Sequence, residues 1–197
     1  MKNSLLIFFN LILIFQVSAQ TANGGWNHKT AVYNNSKHKI TWQLYEDWEW
    51  VTRPVLTGST LLKVRNDETG IVVSLGATKD NGIKETSSDA WDFINLFDSP
   101  SFIVNKKELA KRNGMTYLGT KNLKSQICGI HAIKSRTDMK KDYLEYNRTV
   151  HSTQIEYYFH KRGYVYTLSI TVPYILEDEI EIFDKIAAEF FKGFSRD

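Results

Sequence analysis

The sequence predicts an α+β fold, a twisted antiparallel sheet of about six strands with helices packed on it. Two neighbouring segments near the C-terminus alternate apolar and polar residues, which is the period of a strand with one buried face. The short turn between these two segments predicts that they pair in antiparallel fashion. The final segment places apolar residues at helical spacing, so we expect a helix that covers one face of the sheet.

The first nineteen residues predict export. Lys2 precedes an apolar run over residues 5–15, and small residues at Val17, Ser18 and Ala19 have the spacing of a cleavage site. These are the parts of a secretory signal peptide, and the apolar run is too short to span a bilayer. We therefore expect a secreted or periplasmic protein, cleaved near Ala19, with no transmembrane segment in the mature chain.

The remaining chain predicts a single domain. Residues 20–29 are polar and Gly-rich and predict a flexible lead-in, and residues 30–197 contain neither a linker nor a repeat. The 25 basic and 22 acidic residues are mixed along the chain, which excludes the concentrated basic face of a nucleic-acid-binding protein. Cys128 is the single cysteine, so no disulfide can form within the chain.

Strands are predicted at the beginning of this domain. Apolar residues alternate with polar ones over residues 38–44, where Ile40, Trp42 and Leu44 share one face. Residues 61–65 and 71–77 are rich in β-branched and aliphatic residues, and the five residues between them end in glycine, which predicts a hairpin.

Two helices are predicted next. The first begins after the capping residues 87–89, and we expect Pro100 to end it. The second is expected to begin at Asn105, where Glu108 completes a capping box, and to end at Gly114. Beyond it, residues 115–135 predict two short strands with a break near residues 123–125.

The C-terminal part predicts a hairpin followed by a helix. Residues 155–159 and 164–172 alternate on either side of the turn at residues 161–163, and Pro173 ends the second strand. The closing helix is predicted by an apolar stripe at helical spacing, formed by Ile180, Phe183, Ala187, Phe190 and Phe194.

Four stretches resemble the PsbP-like superfamily, which includes the Mog family of Ran-binding proteins and many exported bacterial proteins. They are the strand at residues 40–44 leading to Trp48, the Cys-Gly-Ile-His-Ala strand at residues 128–132, the hairpin at residues 157–171 and the closing helix at residues 183–194. The family commonly has a proline before the first tryptophan, whereas residues 45–47 here contain none. The resemblance implies a PsbP-like α/β/α sandwich, an accessory role and no conserved catalytic set.

The motifs that usually carry chemistry are missing from the sequence. Cys128 and His131 form a C-x-x-H pair, but residues three apart on a strand point to opposite faces. We therefore interpret Cys128 as a buried structural cysteine, with a reactive thiol or a metal ligand as alternatives. The histidines lack metal-binding spacing and no phosphate-binding or nucleophile-elbow motif occurs, so no catalytic residue, metal or cofactor is assigned.

A cluster of aromatic residues near the start of the domain is the candidate partner-binding surface. Trp48 and Trp50 follow acidic residues in a predicted turn, and Arg53 lies close behind them. Trp and Arg are common interface anchors, although tryptophans also pack under helices or along sheet edges.

Three functions are compatible with the sequence. The first is an exported, non-catalytic module that binds a protein or envelope component. The second is an extracytoplasmic hydrolase whose site is assembled only in the fold. The third is a small-ligand-binding protein with a pocket between sheet and helix.

Overall fold

The computed structural model of this chain describes residues 25–27, 32–43, 48–50, 60–79, 90–173 and 180–193. The chain divides into two compact units, one comprising Met1–Glu46 with Lys192–Asp197 and the other Asp47–Phe191. The predicted signal peptide at residues 1–19 lies outside the described residues. The single domain over residues 30–197 stays a prediction.

The smaller unit contains a three-stranded antiparallel sheet. Its strands, in spatial order, are β1 (Gly25–Asn27), β2 (Val32–Asn35) and β3 (Ile40–Gln43). β3 confirms the predicted alternation over Ile40–Gln43, because Ile40 and Trp42 are buried and the ring of Trp42 lies beside that of Tyr33 of β2. Leu44, the third residue of the predicted face, lies outside the described residues. β1 lies within the segment at residues 20–29 that the sequence predicts as a lead-in.

The larger unit is built on a seven-stranded sheet in which every neighbouring pair is antiparallel. Its spatial order is β4-β5-β6-β10-β9-β8-β7. The strands are β4 (Trp48–Trp50), β5 (Thr60–Asn66), β6 (Val72–Lys79), β7 (Thr116–Ile127), β8 (Ile130–Tyr143), β9 (Arg148–Lys161) and β10 (Tyr164–Val172). The antiparallel α+β architecture is confirmed, but the described residues form ten strands in two sheets, where the sequence predicts about six strands in one sheet.

Helices lie on both faces of this sheet. A 3₁₀ turn (Ala90–Phe93) leads into the one-turn helix α1 (Ile94–Phe97), followed by α2 (Pro100–Arg112) and, at the C-terminus, α3 (Ile180–Lys192). Asp184 of α3 accepts a hydrogen bond from Tyr157, while Lys106 of α2 reaches the hydroxyl of Tyr158. Because consecutive strand residues point to opposite faces, α2 and α3 sandwich the sheet.

The start of α2 corrects two predictions. Pro100 does not end a helix but occupies the first turn of α2, which begins five residues before the expected start at Asn105. Ser99 caps this end, because its hydroxyl accepts a hydrogen bond from the Phe102 amide at 3.4 Å. Proline suits this position since the first amides of a helix have no intrahelical acceptor. The predicted end at Gly114 is confirmed, one residue after the C-cap.

The strands that follow α2 are longer than predicted. β7 runs without a break through residues 123–125, and the chain reverses at Cys128 and Gly129, both of which have positive φ angles. The expected break near residues 123–125 is therefore wrong. A two-residue turn with positive φ at both positions matches the twist of the hairpin it connects.

The C-terminal predictions are confirmed. β9 and β10 pair from Tyr164↔Lys161 to Val172↔Thr153 around a turn with positive φ at Arg162 and Gly163. α3 buries most of its predicted stripe, and it also buries Ile186 and Phe191, whose ring lies 4.7 Å from that of Phe159. Phe194 lies outside the described residues.

Candidate functional site

The surface predicted from the sequence is only partly described. Trp48 and Trp50 lie on β4, where they pair with Asn66 and Val64 of β5. Arg53 lies outside the described residues. The partner-binding role of these three residues therefore stays a prediction.

The interpretation of Cys128 as a buried cysteine is wrong. Cys128 is exposed because it occupies the β7–β8 turn, where its thiol lies 3.5 Å from the Ala188 carbonyl oxygen. His131, on β8, stacks on Trp91 with ring centroids 3.8 Å apart. No group of three metal-ligating side chains occurs within the described ranges.

The hairpin of β8 and β9 extends past both of its neighbouring strands. Pairing between β8 and β9 continues to Tyr143↔Arg148, whereas β7 begins opposite Lys140 of β8 and β10 ends opposite Thr153 of β9. Among the described residues, the last three pairs therefore form a two-stranded ribbon about 10 Å long. We call residues 143–148, which close this ribbon, the ribbon tip.

The ribbon tip exposes large apolar and aromatic side chains. Leu144 is 90% exposed, Tyr146 75% and Tyr143 39%. Leu144 and Tyr146 belong to a 3₁₀ turn that ends at Asn147, whose φ and ψ of 45° are left-handed. Asparagine tolerates this conformation better than most residues. Single exposed apolar residues are common on protein surfaces, but a cluster at the end of a projecting ribbon is typical of a contact surface.

Polar contacts hold the ribbon in register below its tip. Thr149 donates a hydrogen bond to Asp142 across the two strands at 2.7 Å, and Lys140 lies 3.2 Å from the same carboxylate. Both contacts lower the pKa of Asp142, and the hydrogen bond from Thr149 has the larger effect. The ammonium of Lys141 lies 4.9 Å from the ring centroid of Tyr143. These contacts fix the position of the strands that carry the tip.

A buried ion pair lies between α2 and the sheet. The Lys106 ammonium contacts the Glu156 carboxylate and lies 3.2 Å from the hydroxyl of Tyr158. The two charged side chains are 7% and 8% exposed. Burial lowers the pKa of Lys106 to about 8, while the facing carboxylate favours the charged ammonium. Burial also raises the pKa of Tyr158.

The residue pattern alone does not predict this pair. Alternation on β9 places Glu156 on one face of the sheet and Ile155 and Tyr157 on the other. Unless a helix is assigned to the Glu156 face, the sequence suggests that this face contacts solvent. The signal that could have found the pair is the N-cap at Ser99. A helix begun there is one and a half turns longer, and it carries Lys106 in its middle.

None of the helices in the described part of the chain is long and apolar enough to cross a membrane.

No family model and no curated protein matches the sequence. Solved structures do match it. A cyanobacterial PsbP from Synechocystis is 13% identical, with 82% of this chain and 89% of that chain covered and a TM-score of 0.45. A point mutant of Mog1 is 12% identical, with coverages of 79% and 89% and a TM-score of 0.47. The Ran-binding protein Mog1p of Saccharomyces cerevisiae is 12% identical, with coverages of 82% and 89% and a TM-score of 0.41.

These neighbours are PsbP and Mog1 structures. The likeness concerns the fold. At these identities and scores no residue role and no activity passes from them to this chain.

Proposed function

We propose that this protein is an exported, non-catalytic module that binds a protein of the cell envelope through the ribbon tip. The observation that supports the proposal is the exposure of Leu144 and Tyr146 at the end of a ribbon that projects past its neighbouring strands. Burying one leucine side chain in a partner contributes roughly 1.5–3 kcal/mol, and tyrosine is among the commonest interface anchors.

The order of the ribbon favours binding. A contact residue on a flexible loop loses conformational entropy when it binds, whereas the Asp142–Thr149 hydrogen bond already restricts the base of this ribbon. The tip therefore offers its apolar side chains at a small entropic cost.

The charges of the ribbon indicate the chemistry of the partner. Three basic and two acidic side chains lie in or beside the ribbon, namely Lys140, Lys141, Arg148, Asp142 and Glu145. Lys140 and Asp142 pair with each other, so Lys141 and Arg148 outnumber Glu145 and the net formal charge of the five side chains is +1. A partner with an apolar pocket bordered by carboxylates fits this surface, and its binding weakens as salt is raised.

A hydrolase is the second candidate, since Lys106 and Glu156 are ionisable groups within hydrogen-bond reach of each other. The exposure of their side chains, below a tenth for each, favours a structural role. The binding module is therefore the function that we propose.

Site-specific cross-linking tests the proposed surface. A photoreactive phenylalanine analogue at position 144 is expected to give an adduct with one envelope protein in intact cells. With that protein purified, Leu144→Glu should weaken binding about tenfold or more, since a charge then replaces a buried leucine.

Leu123→Glu is the matched control, because Leu123 is also exposed but lies on β7, away from the tip. It should change the dissociation constant less than twofold. Equal affinities for the wild type and Leu144→Glu would overturn the proposal. So would adducts from position 50 and none from position 144, a result that would favour Trp48, Trp50 and Arg53 as the binding surface.

Export is tested separately by the N-terminus of the protein recovered outside the cytoplasm. We expect the mature chain to begin at Gln20, directly after the predicted cleavage site at Ala19. Recovery of the chain with residues 1–19 intact in the cytoplasmic fraction would refute export. Neither result bears on the binding measured with the purified partner.

A further inference from the structure

An apolar cavity of about 230 Å³ lies between the sheet and the helices on the α2 face. Its wall includes three aromatic side chains, Phe97, Phe102 and Tyr158, and the aliphatic side chains of Leu96, Ile133 and Val165. Ring centroids of Phe97 lie 5.0 Å from Phe102 and 4.6 Å from Tyr158, so the three rings form one continuous surface. Leu96 is 61% exposed, which places it at the mouth of the cavity.

The size of the cavity suits a small ligand. A cavity of roughly 150 Å³ lined by apolar side chains holds one benzene molecule. The larger volume here accommodates two fused rings, or an aliphatic group of similar size. Concave apolar pockets of this kind are the usual binding sites for small molecules.

The lining is poor in polar groups. Tyr158 and His160 are the lining residues with a nitrogen or oxygen in the side chain, and the Tyr158 hydroxyl already receives a hydrogen bond from Lys106. A charged ligand would lose its hydration here and gain few hydrogen bonds in return.

Lys106 lies close to the cavity, but its positive charge does not attract an anionic ligand into it. The Lys106 ammonium lies 5.1 Å from the ring centroid of Phe102 and 5.8 Å from that of Tyr158. Its charge is offset by the carboxylate of Glu156. An incoming carboxylate would have to displace Glu156 and would leave that residue buried without a counter-charge.

We propose that this cavity is a binding site for an uncharged, predominantly apolar molecule the size of a two-ring aromatic compound. The proposal is independent of the ribbon tip, since the cavity is lined by the α2 side of the sheet and none of residues 143–148 contributes to it.

Naphthalene is the probe, and 2-naphthoate is its charged counterpart. In NMR titrations of the whole chain from residue 20 onward, naphthalene should bind saturably. It should show intermolecular NOEs to the methyl groups of Ile133 and Val165. 2-Naphthoate should bind about tenfold more weakly or not at all, because its carboxylate would lose its hydration in a cavity whose lining offers only Tyr158 and His160 as polar side chains. An absence of NOEs to the lining, or tighter binding of 2-naphthoate, would overturn the proposal.

A cavity-filling variant provides the second test. Val165→Phe places a ring into the cavity from β10 and should weaken naphthalene binding about tenfold or more. Thr171→Phe is the control, since Thr171 lies on the same strand and face but does not line the cavity. Unchanged binding by Val165→Phe would contradict the proposal. If that variant fails to fold, the NOEs of the wild-type protein decide the question.

Discussion

The Lys106–Glu156 pair holds two charges where water reaches little of either side chain. Removing one partner leaves the other charge buried and unpaired, which typically costs about 3–5 kcal/mol. We therefore expect Glu156→Gln to lower the free energy of unfolding by about 3 kcal/mol or more, measured by urea denaturation at pH 7. The double variant Lys106→Met/Glu156→Leu should recover much of this loss, because it removes both charges.

The Arg65–Asp67 pair provides the matched control. Its side chains are 51% and 50% exposed, and its N···O distance is 2.5 Å. Exposed pairs contribute about 0–1 kcal/mol, so Asp67→Asn should have a small effect. If Glu156→Gln costs no more than Asp67→Asn, the buried pair is not the structural element that we describe.

Residue patterns predicted which side chains are buried better than they predicted which polar groups meet. Ile40, Trp42 and Phe183 are buried as their periodicity indicates, since burial on an amphipathic element depends only on local spacing. Cys128 is exposed because a turn, and not a strand, carries it. The Lys106–Glu156 contact joins residues fifty positions apart and depends on where α2 docks. Local spacing does not contain that information.

At the scale of the elements, the correct predictions share a clear boundary signal. The β9–β10 hairpin is bounded by a Gly-containing turn and by Pro173, and the structure places both where the sequence does. The predicted start of α2 is wrong because Pro100 does not end a helix but occupies the first turn of one, a position that suits proline. In β7 the expected break near residues 123–125 is absent, because an edge strand tolerates polar residues such as Lys124 and Ser125 while its pairing with β8 continues.

At the scale of the whole molecule, four of the described tyrosines make stability depend on alkaline pH. Burial raises the pKa of Tyr33, Tyr157 and Tyr158, and raises the pKa of Tyr166 to about 12, from a model-compound value of 10.0. Above pH 10 the unfolded chain loses phenolic protons that the folded chain retains, so the free energy of unfolding falls as pH rises. Tyr166→Phe should flatten this fall between pH 10 and 12, measured by urea denaturation at fixed pH.

Tyr146→Phe is the control, since it removes a phenol that is 75% exposed. Burial lowers the pKa of Lys106, so this lysine contributes with the opposite sign between about pH 8 and 10.5. That contribution is the same in both variants and cancels when each is compared with the wild type. Identical pH profiles for Tyr166→Phe and the wild type would contradict the prediction.

The fold class could be predicted because few arrangements of alternating strands and one striped helix bury the apolar faces of both. The ribbon tip and the cavity could not. Both depend on where neighbouring strands stop and where helices dock, which are relations between distant parts of the chain.

The order of the sheet also bears on how the chain folds. Short turns join β7, β8, β9 and β10. This half of the large sheet can therefore form through pairing between strands that are adjacent in the sequence. The pairing of β6 with β10 instead brings together Lys79 and Tyr164, with α1, α2 and three strands between them. Closing so long a loop costs more entropy, and non-local pairing slows folding. We expect the β7–β10 meander to gain protection from amide exchange first, and the β4–β6 flank to join it in the rate-limiting step.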